Sequence, residues 1–329
     1  MTRITRRSLL AGVGIAALGT GLARPALAQS GYPSRNVTII APVAPGSQSD
    51  IFARILSTPL AQRLGRPVIV ENRPGGGGIV GTQAAVRAAP DGHTLMLHSS
   101  SGSLVAPQLR RPPPYVTPRD LVPVAVTLSG PSVIVVNPAI RANTIQDLVA
   151  ELKANPGRFN LGSHGVGAFS HVAMELFMAE TGTQMVHSPY NGGGPLAAAF
   201  AAGDVHVVLF DILTARPFLA SGQGRPLAVV GERPATALPE VPLVSETVAP
   251  AVNMDYWFGV FAPAGTPEPI VERLNAEIAA IMGTPEYQAR ATEASMLTTP
   301  QPLPAIRARV EKEWDDWARV IRDRNIVSQ

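Results

Sequence analysis

The chain has 329 residues, 46% of them hydrophobic, with 27 Lys+Arg against 24 Asp+Glu and six His. It contains no cysteine, which excludes disulfides, thiol catalysis, iron–sulfur clusters and Cys-type zinc sites together. Four arginines and no acid fall in residues 1–28, so the remainder carries 23 basic and 24 acidic residues, and the basic pI belongs largely to the N-terminus. No Lys/Arg-rich run and no basic stripe with interleaved aromatics follows, so nothing points to a nucleic-acid partner.

The N-terminus reads as an address. Arg6-Arg7 precede Ser8-Leu9-Leu10, an apolar stretch runs to about Leu22, and Ala26-Leu27-Ala28 is a small-x-small cleavage pattern. We expect a twin-arginine-type signal peptide over 1–28, cleaved near Ala28, and hence a periplasmic protein. As a membrane anchor the apolar run falls short of the roughly 20 residues a spanning helix needs, and it holds Gly12, Gly14, Gly19 and Gly21. The remaining length suggests two domains, with a core large enough to be stable without disulfides.

Strands and helices then alternate. Val37-Thr38-Ile39-Ile40 is a short apolar run that reads as a buried strand. Residues 50–64 repeat apolar side chains at helical spacing, with Ser49 as the expected cap and Pro59 expected to kink or shorten the helix. Val68-Ile69-Val70 is the next strand. Gly75 to Gly78 lead into a helix over about 80–88, Asp91-Gly92 turns the chain, and Thr94-Leu95-Met96-Leu97 is a third strand. A second alternation starts near Pro131, with strands at 132–136, 159–161, 205–210 and 227–230. Its helices are one capped by Thr144 with Asp147 three residues on, one over 168–181 stopped by Gly182, and one over 195–202 stopped by Gly203.

Residues 256–261 read as a strand crossing back, followed by helices at about 267–282, 285–294 and 303–323 that would pack on the first half. The pattern predicts an α/β protein of two lobes, with 32–130 plus 253–329 forming lobe one and 131–252 lobe two, and a cleft between them.

In open parallel sheets, ligands bind beyond the C-terminal strand ends. Four segments fall there: 41–50 (APVAPGSQSD), 74–82 (PGGGGIVGT), 99–103 (SSSGS) and 162–171 (GSHGVGAFSH). All are rich in glycine or hydroxyls and carry no Lys or Arg, a combination suited to an anion held by N–H groups, hydroxyls and helix dipoles. Gly75–Gly78 is not a phosphate loop, because no Gly-Lys-Ser/Thr follows. Of the histidines, His164 in the glycine loop reads as a ligand contact or a structural residue, and His171 as a cap or structural residue. Asp211, directly after an apolar strand, reads equally as a hydrogen-bond acceptor facing the cleft or as a helix cap. There is no Gly-x-Ser-x-Gly elbow and no His-Glu-x-x-His, so we expect neither enzyme activity, nor a cofactor, nor a metal.

Ordered motifs carry a family resemblance over nearly the whole chain. They are Tyr32-Pro33-Ser34-Arg35, the stretch 64–75 (LGRPVIVENRPG), and Ala88-Ala89-Pro90-Asp91-Gly92 with Thr94. Pro189-Tyr190 with Gly192-Gly193, then 238–242 (LPEVP) with Glu246, and Trp257 with 262–267 (APAGTP) complete the series. The chain resembles the substrate-binding proteins of tripartite tricarboxylate transporters, the Bug receptors. That resemblance implies a type II periplasmic-binding-protein fold, two α/β lobes joined by two crossing strands, which closes on a small carboxylate. It implies delivery to the membrane components of such a transporter and, for a receptor that must close and dock, a monomer. Carried across, it points to Val43, Gly46, Ser47, Gly78, Gly81, Ser100, Ser163, Gly165, Gly167 and Asp211 as ligand-binding positions.

The chain also departs from the family. Val43 stands where an aromatic is common, and Ser47-Gln48 where glycines are. Ala168 replaces a common Ser or Thr, and Phe169 a small residue. A lost hydroxyl that leaves a carboxylate oxygen unpaired costs about 1–3 kcal/mol, so either Gln48 or His164 substitutes or the ligand is an aromatic or less polar acid. Two other readings stay open from sequence: a ligand-presenting sensor component, and an enzyme using His164 and Asp211.

Overall fold

The computed structural model describes residues 31–326. The expected signal peptide lies outside them. The first apolar run forms β1 (Val37–Ala41), which pairs in parallel with β2 (Val68–Asn72) and β3 (Thr94–Ser99). Between them run α1 (Gln48–Leu64) and α2 (Ile79–Val86). After a short α3 (Thr117–Asp120), β4 (Leu121–Gly130) completes a sheet of order β2-β1-β3-β10-β4, where β10 (Tyr256–Pro263) is antiparallel to both its neighbours.

Two expectations about α1 fail. Pro59 does not end it early, and the helix runs on to Leu64. The buried row Phe52, Ala53, Leu56, Leu60 and Leu64 continues across the proline, and packing outweighs the single lost backbone bond. The N-cap is Ser47 rather than Ser49, and its hydroxyl turns back to the Ala44 carbonyl instead of capping the helix.

From Gly130 the chain passes through Pro131 straight into β5 (Ser132–Val136), an inner strand of a second sheet of order β7-β6-β8-β5-β9. Here β6 (Asn160–Ser163), β7 (Val186–Pro189) and β8 (Val207–Asp211) run parallel, while β5 opposes β8 and β9 (Arg225–Val230). Helices α4 (Ile145–Ala154), α5 (Phe169–Thr181), α6 (Gly193–Ala202) and α7 (Ile212–Ala220) connect them. Thr144 and Asp147 form both bonds of a capping box on α4. Gly182 and Gly203 end α5 and α6 with φ of 63° and 85°, as a left-handed terminus requires.

Strands β4 and β7 and helix α7 escaped the sequence reading. β4 and β7 lie at sheet edges and contain prolines (Pro123, Pro189), which edges tolerate and central strands do not.

The chain returns as β10, followed by α8 (Glu268–Met282), α9 (Pro285–Glu293) and α10 (Leu303–Asp323). α8 buries Val271, Leu274, Ile278, Ile281 and Met282, side chains whose full burial contributes ~1.5–3 kcal/mol each. α10 packs on β4 but also reaches the other lobe: Arg309 pairs with Glu232 at 3.0 Å and Arg324 with Glu175 at 3.1 Å. Beneath Arg309 the wholly buried Trp257 donates its indole N–H to Glu313 at 2.9 Å. Among the described residues no helix is long and apolar enough to cross a membrane.

Candidate functional site

The parallel strands β1, β2 and β3 end along one edge of the first sheet, and β6, β7 and β8 along one edge of the second. All four glycine- and hydroxyl-rich segments sit at these ends. Strands running the other way begin there: Ser132 at the start of β5 is level with Asp211 at the end of β8, and Phe258 of β10 is level with Ser99 of β3. Antiparallel pairing therefore brings Ser132 and Tyr256 to the same place as the loops.

A cavity of about 110 Å³ lies between the two sheets, lined by Gln48, Ser101, Ser132, His164, Ala168, Phe169, Ser170, Leu209, Asp211 and Tyr256. Four candidates from the sequence meet there: Gln48, His164, Phe169 and Asp211. The other nine do not line it. The N–H groups of Gly46, Gly78, Gly165 and Gly167 are taken by Asp50, the Gly75 carbonyl, Ser163 and His171 respectively. The amide and hydroxyl of Ser47 both turn to Ala44. The Val43 carbonyl accepts from Asn72 at 3.3 Å. Gly81 is a close-packing glycine, since a Cβ there would lie 2.6 Å from the Arg73 carbonyl. Ser100 is buried with its hydroxyl unpartnered, and Ser163 anchors the lobe-two turn. Most positions carried across by resemblance thus shape the loops from within.

The lining has a definite polarity. It contains no Lys or Arg. Asp211 caps α7, accepting from the Thr214 amide and the Thr214 hydroxyl, both at 2.8 Å. The cap reading of Asp211 is therefore realised, while its carboxylate still borders the cavity. His164 shares Ser170 Oγ, through its amide at 3.1 Å and through Nδ1 at 2.9 Å. Burial pushes the His164 imidazole below its ordinary value and the nearby Asp211 charge opposes this only in part, so the ring is neutral at neutral pH. Burial raises the Tyr256 phenol to about 12, with the Asp211 charge adding and hydrogen bonds to Ser99 and Ser101 opposing. Tyr256 therefore stays a hydrogen-bonding phenol.

Ala168 leaves the first turn of α5 without a side-chain cap, and that turn, with Ala168, Phe169 and Ser170, faces the cavity. An uncapped helix start carries a partial positive charge and free donors suited to an anion. The same turn carries an apolar side chain into the cavity lining. Phe169 lies 5.5 Å from Tyr256 and 6.3 Å from Trp317 of α10, so a lobe-two side chain closes against lobe one. Among the described residues, no group of three or more His, Asp or Glu side chains is arranged to hold a metal.

Two α/β lobes with a shared cavity at their facing strand ends define a solute-binding receptor. The model of the tripartite tricarboxylate transporter family receptor matches residues 52–326, and the chain belongs to that family. It is 35% identical over 319 residues to Protein BugT of Bordetella pertussis, covering 96% of this chain and 97% of that one. Among solved structures, R. palustris Rpa4515 with adipate superposes with a TM-score of 0.77 at 27% identity, covering 90% of this chain and 99% of that one. MatC from Rhodopseudomonas palustris with bound malate gives 0.75 at 28% identity, covering 88% and 100%.

Proposed function

We propose that this chain is a periplasmic receptor that closes its lobes on one small carboxylate with a largely apolar body and delivers it to the membrane components of a tripartite tricarboxylate-type transporter. The observation that carries this is the cavity itself. Its donors are the uncapped start of α5, the hydroxyls of Ser101, Ser132, Ser170 and Tyr256, and the Gln48 amide, with no cation among them. One carboxylate can be neutralised by such dipoles, while Phe169, Tyr256, Leu209 and Ala168 supply apolar walls for the rest of the molecule. Adipate and malate, bound by the two structural relatives, are acids of comparable size.

In this reading residues 1–28 are a cleaved twin-arginine leader, 32–130 plus 253–329 and 131–252 are the two moving lobes, and the receptor acts as a monomer without catalysis. The glycine turns that do not touch the cavity hold the loops in shape, and Gln48, His164, Phe169 and Asp211 touch the ligand.

Calorimetric titration of the purified protein with benzoate, adipate, malate and citrate, with and without divalent cation, tests it. Binding of benzoate or adipate in preference to citrate, independent of the cation, is the expected result. Citrate binding more tightly than either would overturn the apolar-body assignment, and no binding by any acid to folded, ligand-free protein would overturn the carboxylate reading.

A further inference from the structure

His171 and His187 do not line the ligand cavity, yet their rings lie against each other in lobe two. Their rings stack at a centroid distance of 3.7 Å and an angle of 3°. Each holds one end of the turn between β6 and α5. His171 Nδ1 accepts the Gly167 N–H at 3.1 Å. His187 Nε2 lies 2.6 Å from Ser163 Oγ, and that oxygen takes the Gly165 N–H at 3.2 Å. The residues that follow Gly167 are Ala168, Phe169 and Ser170, the part of lobe two that faces the cavity.

We propose that the stacked His171–His187 pair positions the 163–167 turn for ligand and lets the turn go when it takes up a proton. This rests on the receptor reading above. The chemistry is specific. Nδ1 of His171 is occupied as an acceptor, so the ring's own hydrogen sits on Nε2, which faces Glu175 Oε1 at 3.7 Å. A proton arriving at Nδ1 would set an N–H against the Gly167 N–H and turn a hydrogen bond into a repulsion. The new imidazolium would draw on Glu175, whose other oxygen pairs with Arg324 beyond α10 in lobe one. Loosening of the turn and loosening of an inter-lobe ion pair are thereby one event. The groups facing the pair are Ser163 from β6, Glu175 from α5, Arg324 following α10, and each ring to the other.

Burial pushes both imidazoles below their ordinary value, His171 to about 3 with the neighbouring His187 adding to the effect. Once the turn is released the rings regain a value near 6.5. Depressed values in the closed state mean that closure is fully favoured above about 6.5 and is lost as pH falls below it. The loss is up to about tenfold in affinity per pH unit for each imidazole.

The test compares the purified protein with His171→Asn, whose Oδ1 occupies the place of Nδ1 and accepts the same N–H without titrating, and with His171→Leu, which cannot accept it. Affinities for benzoate, adipate and malate are measured at pH 7.5 and 5.5. Expected is a loss of about tenfold or more at pH 5.5 in the native chain, a smaller loss in His171→Asn, and weak binding at both pH values in His171→Leu. An equal pH dependence in the native and His171→Asn chains overturns the proposal, because titration of the acid itself is common to both. If none of the three acids binds at pH 7.5, the receptor reading fails instead, and the pair is tested on the unliganded protein by amide exchange. At pH 5.5 the Gly167 amide is then expected to exchange about tenfold faster in the native chain than in His171→Asn. Equal protection overturns the proposal.

Discussion

The ring of Phe169, on the first turn of α5, lies 5.5 Å from the ring of Tyr256 at the start of β10 and is inclined to it by 42°. A helix start in one lobe and a strand start in the other thus share an aromatic contact, and both residues line the cavity. Under the proposed function the contact would tie ligand selection to lobe closure, because the surface a ligand would touch is the surface on which the lobes meet.

Replacing this ring should change selectivity and stability together. Phe169→Ser supplies a small hydroxylated residue and removes a side chain that is 6% exposed. Unfolding in urea should show a loss of about 3 kcal/mol, and calorimetry should show malate gaining on benzoate. An unchanged order of acids would remove Phe169 from ligand selection.

Gly102 should tolerate no side chain. A Cβ there would lie 2.0 Å from His98 Nε2, and His98 is itself buried, 3% exposed, with neither ring nitrogen hydrogen-bonded. Gly102→Ala should cost about 1–3 kcal/mol by overpacking. Combining it with His98→Ala should recover part of that, so a double-mutant cycle read by urea unfolding should give a coupling of about 1 kcal/mol. Strict additivity would show that the ring moves aside freely.

Asp50 should matter near neutrality and not in acid. Burial pushes its carboxyl up, but hydrogen bonds from Arg54, the Gly46 amide and Asn72 outweigh this and hold it below the ordinary carboxylate value. A depressed carboxyl contributes stability that is present above its unfolded value near 3.9 and lost as pH falls through the folded one. Asp50→Asn should therefore cost about 1–3 kcal/mol at pH 7, with the deficit shrinking below pH 4 in parallel urea unfolding curves. A deficit independent of pH would assign the loss to packing.

Export should depend on the arginine pair. Changing Arg6→Lys together with Arg7→Lys in the full chain should leave the protein in the cytoplasmic fraction with its leader uncleaved, as seen by fractionation and N-terminal sequencing. Normal export of that variant would move the chain to the general secretory route.

The sequence by itself determined the α/β alternation, most helix spans and the glycine stops, because these depend on local periodicity and on backbone conformations that neighbouring residues dictate. It also located the four loops, since the end of a parallel strand and the start of the next helix are consecutive in the chain. Tertiary structure decided which groups at that edge face the cavity. Ser132 and Tyr256 enter through antiparallel pairing with strands some 80 and 160 residues away in sequence, a register that no local pattern carries. The direction of the glycine amides was decided by near neighbours that no motif marks as acceptors: Asp50 for Gly46, His171 for Gly167, and Ser163 for Gly165, the last held by the more distant His187. Periodicity reports which face of an element is buried. Only the packed arrangement reports which buried donors are already taken by the protein and which are left for a ligand.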